Sequence, residues 1–181
     1  MFDDPIARRY FVMNFFDGIM TAFGIVIGGA VAIGNPVTLI KAGLGASMAI
    51  MVSGFFGAYM AEKTERRIEL KELERLIMKD LKGTELDHKA NKAVLKLAAI
   101  DALSPFVGAM IPILPFFAVV FGFLEYKIAI YCSLGISFIV LTALGWYLGK
   151  MMEESPLKNA LVFVVGGIVV GILSTLLEHF L

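Results

Sequence analysis

Five stretches of this chain, residues 10–33, 36–61, 97–124, 128–149 and 157–177, run with at most one or two charges each. Each is long enough to cross a hydrocarbon core of about 30 Å as a helix, which takes roughly 20 residues. Hydrophobic residues make up 59% of the chain and charged ones 18%, too apolar a balance for an ordinary soluble globule. The expected fold is therefore an all-α integral membrane protein with five transmembrane helices. The first run exceeds the about 7 to 15 apolar residues of a secretory signal and no small-residue cleavage site closes it, so it is expected to persist as a span. The single cysteine, Cys132, lies within the fourth run and has no intrachain disulfide partner.

Of the sixteen Lys and Arg residues, all but Lys41 and Lys127 fall in the N-terminus, the connection after span two or the connection after span four. The positive-inside rule then puts the N-terminus and the long second connection in the cytoplasm and the C-terminus outside or in a lumen. Three units follow: residues 1–61 with spans one and two, 62–96 as a cytoplasmic segment, and 97–181 with spans three to five. Nothing in the charge pattern suggests nucleic-acid recognition.

Residues 62–96 read as a short cytoplasmic helical hairpin. No breaker interrupts the passage from span two into this segment, so the same helix is expected to continue until a stop at Gly83. Thr84, with Asp87 three residues on, has the spacing of a capping box opening the return helix. On the first arm, Glu62, Glu65, Glu69 and Glu72 form an acidic stripe, and Leu70, Leu73 and Ile77 an apolar face expected to be buried. Such a stripe serves solubility through i,i+4 pairing, or it captures a divalent cation, with Glu85, Asp87 and His88 on the facing arm completing the shell.

Glycines one turn apart, Gly24 and Gly28, Gly145 and Gly149, Gly167 and Gly171, predict close helix packing. Pro105, Pro112 and Pro115 predict a bend or break in the third span.

The informative residues are the acids inside the apolar runs. Asp17 is expected about 10 Å, and Asp101 about 7 Å, below the cytoplasmic surface at 1.5 Å per helical residue. A charge at a helix centre costs on the order of 2.5 to 3.5 kcal/mol, so such groups face the bundle interior or a hydrated path. Asn14 and Thr21 add oxygen donors one turn either side of Asp17. Met48, Met51 and Ser53 come from span two at comparable depth, and a thioether would tilt preference toward transition metals.

These residues resemble the vacuolar iron transporter family, which includes manganese transporters. The likeness spans nearly the whole chain: Asp17 and Gly18 in span one, the charged insertion after span two, and Pro112, Ile113, Leu114 and Pro115 in span three. The stretch "SGFFGAY" is similar to the family's Ser-Met-x-x-Gly-Glu-Tyr, with Ser53, Gly57 and Tyr59 matching. Gly54 stands where the family has methionine and Ala58 where it has glutamate, side chains attributed there to metal handling. Met51, one turn deeper, is offered for the sulfur, and Glu65, Glu69 and Glu72 as loose counterparts of the family's glutamate-rich domain.

The resemblance implies a homodimer in a lipid bilayer that exports Fe²⁺ or Mn²⁺ from the cytoplasm in exchange for protons, with no permanently bound cofactor. The candidate metal residues are Asn14, Asp17, Thr21, Met51, Glu65, Glu69, Glu72 and Asp101. The alternative is a membrane scaffold or non-transporting relative. An enzyme is not expected: "DGIMTA" opens like a phosphatidyltransferase signature, but the signature's arginine and its further aspartates are missing.

Overall fold

The computed structural model describes residues 4–180. It consists of α1 (Pro5–Ile33), α2 (Pro36–Ile77), α3 (Glu85–Val120), α4 (Tyr126–Met151) and α5 (Pro156–Phe180), with no strand among the described residues. All five helices are long and apolar enough to cross a membrane, so the chain is an integral membrane protein.

Local chemistry sets the boundaries. Asp4 caps α1 by accepting from the Ile6 and Ala7 N–H groups, and Asn35 caps α2 by accepting from those of Val37 and Thr38. A proline follows each cap at the first helical position, where its missing N–H costs nothing. Only Gly34 and Asn35 separate α1 from α2, and Gly34 takes the left-handed conformation that ends the first helix (φ 59°).

The second helix runs 42 residues without interruption. At 1.5 Å per residue that is about 63 Å, roughly twice a hydrocarbon core, so one part of α2 projects beyond the bilayer. The expected continuation is found, but its stop differs. It ends at Ile77, with Met78 in the left-handed conformation, rather than at Gly83, which instead supplies a positive φ of 74° within the following turn. The turn is held by its own carboxylates: Glu74 accepts from the Leu81 N–H (2.9 Å) and Asp87 from that of Gly83 (3.0 Å). Thr84 caps α3, accepting from the Asp87 N–H as the spacing predicted.

The apolar face expected on this part of α2 is only partly covered. Leu70 is half-buried, whereas Leu73 and Ile77 are exposed. The three prolines do not break α3, which remains one helix. Ser133 on α4 donates to the Pro112 carbonyl (2.6 Å), tying a neighbour to the proline-rich stretch.

Packing places α3 at the centre, against α1, α2 and α4, with α5 held mainly by α4. Ala22, Val26, Leu39, Ile40, Ala109, Ile113, Phe116 and Ala129 form the largest buried cluster, drawn from the first four helices. Small residues set the closest approaches. A β-carbon on Gly18 would collide with the Pro105 carbonyl, and one on Gly108 with that of Phe15, so α1 and α3 touch backbone to backbone. Gly145 and Gly149 do the same for α4 against Ala160 and Pro156 of α5, while Gly28 faces open space.

Candidate functional site

The tight contact between α1 and α3 brings Asn14 to Asp101. The Asn14 Nδ2 donates to Asp101 Oδ1 at 2.7 Å and to its own helix at the Tyr10 carbonyl, 2.9 Å, which fixes the amide's orientation. Asp101 is 9% exposed, and desolvating a carboxylate to that degree is costly unless its oxygens are met by donors. Asn14 meets one of them.

The other oxygen lies against α2. A β-carbon built on Gly54 would stand 2.7 Å from Asp101 Oδ2 and 3.6 Å from the Asp101 carbonyl. That carbonyl has also lost its usual helical donor, because the residue four places on is Pro105, which has no N–H. Asp101 thus turns two oxygens, one from its side chain and one from its backbone, toward the space that Gly54 leaves open. Here the departure from the family motif has a steric cause: a side chain at 54 and this placement of Asp101 exclude one another.

Asp17, one turn deeper on α1 than Asn14, is exposed in the isolated chain, yet near enough to Asp101 for the two charges to repel. Thr21 is half-buried one turn further. Met51 lines an apolar cavity of about 350 Å³ with Val52, Phe55, Phe56, Ala99, Ala102 and Leu103, an environment without a second metal donor. Met48 and Ser53 are exposed.

On the projecting part of α2, Glu65 and Glu72 are exposed, and Glu69 pairs with Arg66 (2.8 Å). Across the turn, Glu85 pairs with Lys89 (3.5 Å), His88 is exposed, and both oxygens of Asp87 are occupied, by the Gly83 N–H and the Asn91 amide. Among the described residues no three His, Cys, Asp or Glu side chains converge as a metal-binding group.

Glu62 does not belong with the other glutamates of the acidic stripe. It is buried, 8% exposed, and accepts a hydrogen bond from the Tyr10 hydroxyl (2.9 Å). The signal for it was in the spacing: Gly54, Ala58 and Glu62 follow at four-residue steps, so they share one face of α2. Ala58 on that face is buried too.

A carboxylate buried between three helices of a membrane bundle marks a candidate functional site, since such groups are costly to keep in lipid. The chain matches the VIT family over residues 8–79 and 73–179, and it belongs to that family, whose membrane proteins are associated with metal-ion transport. It is 32% identical over 173 residues to an uncharacterized protein of Methanocaldococcus jannaschii, a likeness covering 94% of this chain and 87% of that one.

Proposed function

We propose that this protein exports a divalent transition metal, Fe²⁺ or Mn²⁺, from the cytoplasm in exchange for protons, with Asp101 as the principal ligand. The observation that carries this reading is the placement of Asp101, buried, held by Asn14 and turned toward the gap at Gly54. The Asp101 carboxylate and carbonyl and the Asn14 side-chain oxygen are hard oxygen donors, and a set of that kind favours Mn²⁺ over softer ions. The glycine in place of the family's methionine, and the apolar surroundings of Met51, point the same way. Metal binding requires the carboxylate in its ionised form, so one site that holds a cation and a proton in turn couples their movements.

The distribution of Lys and Arg supports a cytoplasmic N-terminus and an outward or lumenal C-terminus. On that orientation the projecting part of α2 and the start of α3 form the cytoplasmic hairpin, in which ten Lys and Arg outnumber eight acids over residues 62–96, so Glu65, Glu69 and Glu72 do not by themselves concentrate cations there. Asp17 supports a homodimer: an ionisable side chain exposed in mid-helix is costly against lipid and is covered when a second copy packs on it.

The competing reading, a bundle without flux in which Asn14 merely satisfies Asp101, draws on Ala58 and Gly54 in place of the family's glutamate and methionine. Mn²⁺ uptake into proteoliposomes separates the two. Asp101→Asn removes the charge at nearly constant shape, and flux is expected to fall by about two orders of magnitude, the factor that about 3 kcal/mol of lost ion binding represents. Flux equal to wild type would overturn the assignment of Asp101, and no flux in the wild type would favour the scaffold.

A further inference from the structure

The Tyr10 and Glu62 pair is not explained by the transport site as described, and neither residue is among the motif positions that mark the family resemblance. Glu62 lies eight residues beyond Gly54 on α2, about 12 Å along the helix toward the projecting end. Tyr10 lies one turn before Asn14 on α1, and helical side chains lean toward the N-terminus, so its ring reaches in the same direction. The hydroxyl meets Glu62 and stands within electrostatic reach of both Glu62 and Asp101. Two polar pairs are therefore stacked between α1, α2 and α3, Glu62 with Tyr10 and Asn14 with Asp101, joined where Asn14 donates to the Tyr10 backbone carbonyl. The Arg9 guanidinium lies 5.8 Å from the centre of the Tyr10 ring, and the Arg66 guanidinium, one turn past Glu62, is turned to Glu69 instead.

A carboxylate buried to this extent beside a neutral phenol gains less than it would from a cation, because one hydrogen bond offsets only part of its desolvation. We infer that Glu62 is the capture carboxylate at the mouth of the site: it takes the divalent cation first and passes it toward Asp101, and its hydrogen bond to Tyr10 is the closed form of that mouth. The inference rests on the transport reading, and adds to it an entry residue that lies one turn beyond Ala58 on the face of α2 that carries Gly54.

Mn²⁺ flux in proteoliposomes of the full chain tests this, with wild type, Asp101→Asn, Glu62→Gln and Tyr10→Phe in parallel. Glu62→Gln keeps an acceptor for the Tyr10 hydroxyl and loses the charge. It is expected to lower Vmax/KM about tenfold through KM, with a deficit that changes little as salt is raised, because a buried charge is screened weakly. Tyr10→Phe keeps the charge and frees it, and is expected to raise Vmax/KM. A purely structural clasp predicts otherwise: Glu62→Gln would match wild type, and Tyr10→Phe would lower both flux and thermal stability. Either result would overturn the inference, and if Glu62→Gln does not fold, the direction of the Tyr10→Phe change decides it. Loss of flux in Asp101→Asn with Glu62→Gln at wild-type level sinks the role of Glu62 alone. Absence of flux in the wild type sinks both.

Discussion

At Gly54 a missing side chain gives Asp101 its place. The carboxylate oxygen sits where a β-carbon would approach to 2.7 Å, so Gly54→Ala must displace either Asp101 or α2. We expect a loss of about 1 to 3 kcal/mol in detergent-solubilised protein, the usual penalty for overpacking, together with weaker Mn²⁺ binding by titration. Gly54→Met, the residue of the resembling family, should do more harm despite restoring the motif; improved binding in that variant would show that Asp101 readily adopts another position. The two intramembrane aspartates were legible in the sequence, because an ionisable group in an apolar run is conspicuous without any structure. The partnership of Asn14 with Asp101 was legible only as shared depth. The meaning of Gly54 and of Glu62 was not, since each depends on a residue of another helix, and Tyr10 and Glu62 are 52 positions apart.

Helices α1 and α3 are coupled at two levels. Within the bundle, Gly18 and Gly108 let their backbones touch, and Gly18→Leu or Gly108→Leu would drive a side chain into a carbonyl that cannot move aside. A penalty upward of about 3 kcal/mol is expected, read as a lowered melting temperature and loss of Mn²⁺ binding, because the same contact holds Asn14 against Asp101. At the end of α1, Asp4 accepts from the Ile6 and Ala7 N–H groups and pairs with Lys96 of α3 at 3.7 Å. Burial opposes ionisation of the Asp4 carboxyl, but the Ala7 and Ile6 N–H groups and the Lys96 ammonium outweigh it and hold the pKa below the usual carboxylate range. A depressed carboxyl stabilises the fold at neutral pH, and its contribution disappears as the pH falls through that lowered value. Asp4→Ala should therefore cost about 1 kcal/mol near pH 7 and progressively less in acid; a deficit independent of pH would exclude the charge from the cap. The start of α3 was readable in advance because Thr84 announces it locally, whereas α1 starts at Pro5, before the apolar run that opens at residue 10. The stop of α2 was not: Met78 takes the left-handed conformation without being glycine, and the carboxylates of the turn hold it there.

For the molecule as a whole, the five-helix bundle followed from hydropathy alone, since a bilayer admits few other solutions for such a chain. Which faces of those helices meet did not follow, because lipid and protein interior are equally apolar and hydropathy does not separate them. The exposure of Asp17 on an isolated copy predicts that the purified protein has the mass of a dimer by light scattering, and that Asp17→Lys, which places like charges on an apolar interface, shifts it to monomer. A monomeric wild type would mean that Asp17 faces water rather than a partner. The central claim is that Asp101, with Asn14, holds the transported cation beside Gly54. Crystals soaked in Mn²⁺ and measured for anomalous scattering test it most directly: the account predicts a peak in contact with the Asp101 oxygens that vanishes in Asp101→Asn, and a fully occupied site elsewhere with none at Asp101 would contradict it.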